Sequence, residues 1–97
     1  MKELILLPAA DADLIEIYDY TADTWGMAQA DQYLGMLHDR ISGVLTGATP
    51  SRTADEVRPG LRRSLAGRHV VFWREDAAAV TVVRVLHQRM DAGRRVG

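Results

Sequence analysis

The side chains best suited to chemistry in this 97-residue chain are the arginines and histidines of its second half. Metal-free cleavage of RNA requires a proton acceptor, a proton donor and cations around the scissile phosphate, and histidine with several arginines supplies all three. On a sheet with one wet face, however, arginine at alternate positions is ordinary solvent-facing decoration, and we favour this second interpretation. The residues concerned are Arg62, Arg63, Arg68, His69, Arg84, His87 and Arg89.

The three histidines differ in what their surroundings predict. His38 lies beside the apolar stripe of a predicted helix, and we expect it to have no chemical task. His69 alternates with Val70 and is either a hydrogen-bonded, half-buried residue or one that lines a sheet face. His87 follows the last predicted strand, where functional groups are often presented, so it is the best single candidate. Alternatively, and equally well, His87 is a structural residue that anchors the tail to the backbone.

Several classes of site lack their sequence signals. The histidines at 38, 69 and 87 form no i, i+4 pair and the chain has no cysteine, so we predict no metal site. The absence of cysteine also excludes disulfides and thiol nucleophiles and fits a reducing compartment. Glycines occur singly, without a phosphate-binding or dinucleotide pattern, and no serine has a nucleophile-elbow context. We therefore predict no cofactor.

The net charge of −1 conceals a strong division along the chain. Residues 1–57 carry three basic and ten acidic side chains, a net −7, and residues 58–97 carry nine arginines and three acids, a net +6. Arginine suits bidentate recognition of phosphate or carboxylate, so the second half is a candidate face for an anionic partner. The alternative is that a basic sheet neutralises acidic helices within one fold, and charge alone slightly favours it.

Periodicity predicts the elements that position these residues. The apolar run 4–7 predicts a short strand that stops at Pro8, which then occupies the first turn of a helix. Apolar residues spaced by three and four predict two helices that end near Gly26 and Gly47 and form an antiparallel hairpin. The acidic residues of the first helix, Asp13 among them, are expected to point away from the stripe, and residues 46–60 are expected to be loop.

Beyond residue 60 the period changes to two and predicts three strands with tight connections, over 61–65, 68–74 and 80–86. The expected fold is α+β, in the order β-α-α-β-β-β, with the helical hairpin packed on one face of a small, mostly antiparallel sheet. We expect one soluble, cytoplasmic domain over residues 1–97, since no apolar run approaches a membrane span. Residues 92–97 are either a short helix or a frayed tail.

Aromatic residues exceed what so small a core needs, so some aromatic surface is expected to remain for a partner. For Trp25, at a helix end, closure of the core edge is the favoured interpretation.

The chain resembles the ParE branch of the RelE/ParE superfamily of type II toxins along nearly its whole length. The most specific parts are the entry to the sheet at 58–60 and the closing stretch 84–91, Arg-Val-Leu-His-Gln-Arg-Met-Asp. The resemblance implies the same β-α-α-β-β-β fold. It also implies a plasmid-stabilising toxin that inhibits DNA gyrase, is neutralised by a ParD-like antitoxin in a hetero-oligomer, and meets DNA only through those partners.

RelE-like relatives instead cleave messenger RNA in the ribosome, which is the alternative function. Those nucleases tend to have an arginine on the strand at the position of His69 in this chain. They have another arginine just after the last strand, near the position of Gln88. These departures favour a binding protein over an enzyme. As a nuclease the chain would use His87, Arg89, Arg84 and Arg68. As an inhibitor it would meet its target through Arg68, His69, Arg84, His87 and Arg89. We expect the antitoxin to contact Tyr18, Trp25, Tyr33, Leu37, Arg63 and Trp73.

Overall fold

A computed structural model describes residues 2–96 and has the predicted α+β order with two additional elements. The additions are a two-residue strand in the segment expected to be loop and a short helix near the end of the chain. The elements are β1 (Glu3–Leu6), α1 (Pro8–Trp25), α2 (Met27–Thr46), β2 (Arg52–Thr53), β3 (Arg62–Ala66), β4 (His69–Glu75), β5 (Ala79–His87) and α3 (Ala92–Arg95).

The five strands form one mixed sheet in the order β1-β5-β4-β3-β2. β3, β4 and β5 make the predicted antiparallel meander, and β1 pairs in parallel with β5, which confirms a mostly antiparallel sheet. β2 pairs antiparallel with β3 at one edge and corrects the expectation that residues 46–60 are only loop. A strand of two residues has no period, so a search for alternation does not detect it.

The two long helices begin and end where residue chemistry predicts. Pro8 occupies the first position of α1, where its missing N–H costs nothing. Gly26, at φ 95°, is the one residue between α1 and α2, and Gly47 ends α2 in the left-handed region at φ 84°. Among residues 2–96, neither helix nor any other helical segment combines the length and apolarity that a bilayer crossing demands.

The main core lies between the helical hairpin and one face of the sheet. Its most buried members include Leu37 and Ile41 of α2 with Val71 and Val82 of the sheet. Trp73 belongs to the same core, and its indole N–H donates a 3.0 Å hydrogen bond to the buried Ser64 hydroxyl. That bond satisfies the one polar atom that this large aromatic side chain brings into the core.

The opposite face of the sheet is also covered, which corrects the expectation of one wet face. Val70, Phe72 and Leu86 pack there against the segment before β3 and against Val96, which is 3% exposed. The physical reason is that β4 is apolar at consecutive positions, so both of its faces need cover. Residues 92–96 are therefore ordered, with α3 capped by the Asp91 carboxylate, and Gly97 of the predicted tail lies outside the described residues.

Two isoleucines of the hairpin provide a matched test of this packing. Ile41 is 2% exposed and Ile15 is 63% exposed. We expect Ile41→Ala to lower the free energy of unfolding by about 2–5 kcal/mol, because it removes buried methylene groups and leaves a cavity. Ile15→Ala should change it by no more than about 0.5 kcal/mol. Urea denaturation followed by circular dichroism measures both, and equal losses would contradict this core.

Candidate functional site

A cleft of about 790 Å³ lies between one face of α1, the start of α2, the turn from β3 to β4 and the end of β5 with the following tail. It combines exposed aromatic residues, two histidines and several arginines. The lining residues that matter below are Asp13, Glu16, Tyr20, Trp25, Tyr33, Arg68, His69, Arg84, His87, Met90 and Arg95.

An ion pair at one wall of the cleft joins α1 to β5. The Nε and Nη2 atoms of Arg84 each donate a 2.7 Å hydrogen bond to the Asp13 carboxylate, which also accepts the Val85 N–H at 2.9 Å. Asp13 is buried, and its bond to Arg84 is the main cause that raises the pKa of the guanidinium. The remaining Nη1 donates to the Arg95 carbonyl at 2.7 Å, so the same arginine holds the tail.

The burial of Asp13 contradicts the expectation that it points away from the apolar stripe. Asp13 lies three residues after Ala10 and four before Ile17, both on the stripe, so its spacing places it on the inner side of α1. Its carboxylate is tolerated there because Arg84 and a backbone N–H satisfy it. The helical spacing alone places Asp13 on the buried side of α1. The expectation was wrong because an acidic residue was assumed to face solvent.

Tyr33, His69 and His87 lie together on the floor of the cleft, where Tyr33 is hydrogen-bonded to His69 and the two histidine rings are in edge contact. The Tyr33 hydroxyl lies 2.6 Å from Nδ1 of His69 and accepts the backbone N–H of Arg68 at 3.0 Å. His69 and His87 are paired across β4 and β5, with ring centroids 5.4 Å apart and planes at 83°. Gly67 permits this approach, since a Cβ there would lie 2.8 Å from the Tyr33 hydroxyl.

Burial first and the neighbouring His87 second, against an opposing effect of Asp13, together lower the pKa of His69 to about 4. His69 is therefore neutral at pH 7. The other acceptor near the Tyr33 hydroxyl, the Ala66 carbonyl, is 3.5 Å away, so we assign the hydroxyl hydrogen to the shorter bond, with Nδ1 of His69 as acceptor. The proton of this neutral imidazole then lies on Nε2.

Comparison with known proteins identifies the family. The model of the family described as "ParE toxin of type II toxin-antitoxin system, parDE" matches residues 4–92. Toxin ParE1 of Mycobacterium tuberculosis is 46% identical over 93 residues, which cover 95% of each chain. Toxin ParE1 of Caulobacter vibrioides is 36% identical over 97 residues, and the match covers 100% of both chains. The chain belongs to the ParE toxin family.

A solved structure agrees on the architecture of this ParE-family chain. The structure titled "Chromosomal ParDE TA system from P. aeruginosa" is similar with a TM-score of 0.76 over 90% of this chain and 96% of the other, at 18% sequence identity. At that identity the likeness shows the fold, which is the β-α-α-β-β-β arrangement expected from the sequence.

The residues expected to meet the target converge on the cleft of this ParE-family chain. Arg68, His69, Arg84 and His87 line it, and Arg89 lies exposed in the turn after β5, where its N–H donates to Nδ1 of His87 at 3.1 Å. Arg84 differs from the others because its guanidinium is held by Asp13 and the tail. Within residues 2–96, histidines and carboxylates form no group of three or more suited to a metal ion.

The residues expected to meet the antitoxin are dispersed. Trp25 and Tyr33 line the cleft, whereas Tyr18 donates to Asp31 of α2 and Arg63 pairs with Glu56. Trp25 is 67% exposed, so the interpretation that it closes the core edge is wrong. The reason is that it ends α1, four residues beyond Thr21, the last buried residue of that helix.

Two further residues of that set lie in the core. Leu37 is 0% exposed and Trp73 is 5% exposed, because they face the interface between the helices and the sheet. Neither offers appreciable surface to a partner, and their contact with an antitoxin stays a prediction.

Asp13→Asn tests the ion pair at the cleft wall. We expect it to lower the free energy of unfolding by about 2–4 kcal/mol, because the partly buried Arg84 charge loses its compensating partner. Asp11→Asn is the matched control on the exposed first turn of α1 and should cost no more than about 1 kcal/mol. Urea denaturation at pH 7 measures both, and a loss shared equally by the two variants would refute the assigned role.

His69 predicts a specific dependence of stability on pH. Its pKa falls from the ordinary 6.5 to about 4 on folding, so between these values the unfolded chain binds more protons. The contribution to stability is complete above pH 6.5 and is lost as pH falls toward 4. Relative to His69→Gln, we expect the natural chain to lose about 1–2 kcal/mol between pH 7 and pH 4.5, after allowance for partial solvent exposure. Urea denaturation of both chains at pH 7 and at pH 4.5 measures this difference. An equal loss of unfolding free energy in the two chains would refute the prediction.

Proposed function

We propose that this ParE-family chain inhibits DNA gyrase by binding it, and that a ParD-like antitoxin neutralises it. The observation that carries the proposal is that the Arg84 guanidinium is already hydrogen-bonded within the fold. This arginine is one of the cations that a ribonuclease would need at the scissile phosphate, but Asp13 neutralises it and the tail carbonyl takes its remaining group. The cleft is therefore better suited to recognition than to cleavage of a phosphodiester.

The surface around the cleft has the composition of a protein-binding site. Tyr20 and Trp25 are 69% and 67% exposed, Met90 is 44% exposed, and Arg68 and Arg89 are exposed beside them. Aromatic residues, methionine and arginine are enriched at protein interfaces and supply most of their binding energy. This composition supports a protein inhibitor whose target contacts are Arg68, His69, His87 and Arg89, in the cytoplasm where gyrase acts on DNA.

Two features support an antitoxin partner. The solved structure of similar fold has a title that names a ParDE pair. In this chain β1 is an edge strand that pairs on one side only, with β5, and so offers backbone groups for strand addition. We propose a hetero-oligomer with the antitoxin, in which the chain meets DNA only through its partners.

Arg89→Ala tests the target contact without disturbing the ion pair. Its matched control is Arg74→Ala, because Arg74 is an equally exposed arginine on β4 outside the cleft. We expect Arg89→Ala to require about tenfold more protein for half-inhibition of supercoiling by purified gyrase, which corresponds to about 1.4 kcal/mol. Arg74→Ala should match the natural chain, and pull-down by a ParD-like antitoxin should be unchanged in both.

Induction of the natural chain in cells separates gyrase inhibition from ribosome-dependent cleavage of messenger RNA. Plasmid supercoiling and DNA breakage should change before protein synthesis falls. Arrest of translation with normal supercoiling would refute gyrase inhibition and favour the nuclease.

A further inference from the structure

The floor of the cleft presents hydrogen-bond donors that lack acceptors. Nδ1 of His69 accepts the Tyr33 hydroxyl hydrogen. Nδ1 of His87 accepts the Arg89 N–H, so in both rings Nε2 is the nitrogen that carries the N–H. Among residues 2–96 neither Nε2 has a partner, and neither is sealed from solvent. Both rings line the cleft, so two N–H groups are available to an acceptor that enters it.

Positive charge surrounds these donors. Within the described part of the chain, the guanidinium groups of Arg68 and Arg95 have no hydrogen-bond partner, although both residues line the cleft. Arg84 contributes little net charge because Asp13 compensates it, which leaves Glu16 as the one other carboxylate among the lining residues. A donor-rich site with excess positive charge favours a ligand with several anionic oxygens.

The mouth of the same cleft offers flat apolar surface. Trp25 and Tyr20 line it, and about two thirds of each side chain is exposed, 67% and 69%. Exposed aromatic faces next to cations are the arrangement on which nucleic-acid bases stack. The volume of about 790 Å³ is in the range of small-molecule sites, which run from about 300 to 1,000 Å³.

We propose that the cleft binds a nucleoside phosphate, with the phosphate on Arg68 and the Nε2–H groups of His69 and His87, and the base against Trp25. A free nucleotide and a nucleotide within a single strand share this chemistry. An acidic peptide would satisfy the donors but would leave the aromatic faces uncovered, so the nucleotide accounts for more of the site. Arg68, His69 and His87 are also the proposed gyrase contacts, but the nucleotide site does not rest on that proposal, because the protein alone supplies every group that holds the nucleotide.

The two tryptophans make binding observable in the full-length chain. Trp73 is 5% exposed and Trp25 is 67% exposed, so a base that stacks in the cleft quenches mainly Trp25. Titration with adenosine 5′-monophosphate should give saturable quenching, and calorimetry should give the same affinity. Adenosine and inorganic phosphate, which each satisfy half of the site, should bind at least tenfold more weakly.

Three variants test the assignment of each part of the ligand. Arg68→Ala should weaken binding of the nucleotide at least tenfold, while Arg74→Ala, an exposed arginine outside the cleft, should leave it unchanged. Trp25→Leu, followed by calorimetry, should weaken binding of the nucleotide but not of inorganic phosphate. All three positions are solvent-exposed, and circular dichroism checks that each variant is folded.

A single-stranded octanucleotide of deoxyadenosine identifies the source of the ligand. Binding at least tenfold tighter than that of the mononucleotide supports a strand as the natural ligand, and equal binding supports a free nucleotide. The proposal is overturned if neither probe gives saturable binding, if Arg68→Ala binds both as well as the natural chain does, or if a glutamate-rich peptide binds where the nucleotide does not. None of these measurements contains gyrase, so failure here leaves the proposed function intact.

Discussion

The bidentate pair of Asp13 with Arg84 is the interaction on which the arrangement of the cleft depends. It joins the first turns of α1 to the middle of β5, and the other side of the same guanidinium holds the tail through the Arg95 carbonyl. The cleft lies between these three segments. A buried pair of this kind adds little net stability compared with apolar packing, but it defines one relative position of the groups that it joins. The cleft is therefore shaped by a polar contact rather than by the core alone.

The division of charge along the chain has two consequences in the fold. Part of it is neutralised internally, as the pairs Asp13–Arg84 and Glu56–Arg63 show. The remainder stays on the surface, where Arg68 and Arg95 face the cleft. Internal neutralisation thus holds for Arg63 and Arg84, whereas a face for an anionic partner stays a prediction for Arg68 and Arg95.

Periodicity was sufficient to predict the helices, the meander and the cover of one sheet face, because those elements bury their residues in regular spacing. It failed where burial depends on tertiary partners. The Asp13 carboxylate is buried only because Arg84 pairs with it. The second face of the sheet is covered only because Val96 of the C-terminal segment packs against it. For the site, the sequence singled out Arg68, His69, Arg84 and His87, which line the cleft, but not Arg95, which lines it too. It did not predict the pairing of Tyr33 with His69, which joins residues from separate elements.

The parallel pairing of β1 with β5 has a consequence for the newly made chain. Glu3 pairs with Ala79, and Asp13 meets Arg84 across 71 residues, so the earliest segments find their partners only in the last strand. Closing so long a loop carries an entropic cost before any contact repays it. The helical hairpin, whose contacts are local, can form during synthesis, but the cleft cannot exist until β5 has left the ribosome. A nascent chain therefore lacks its binding surface until β5 is made, and a partner that recognises the cleft cannot act before that point.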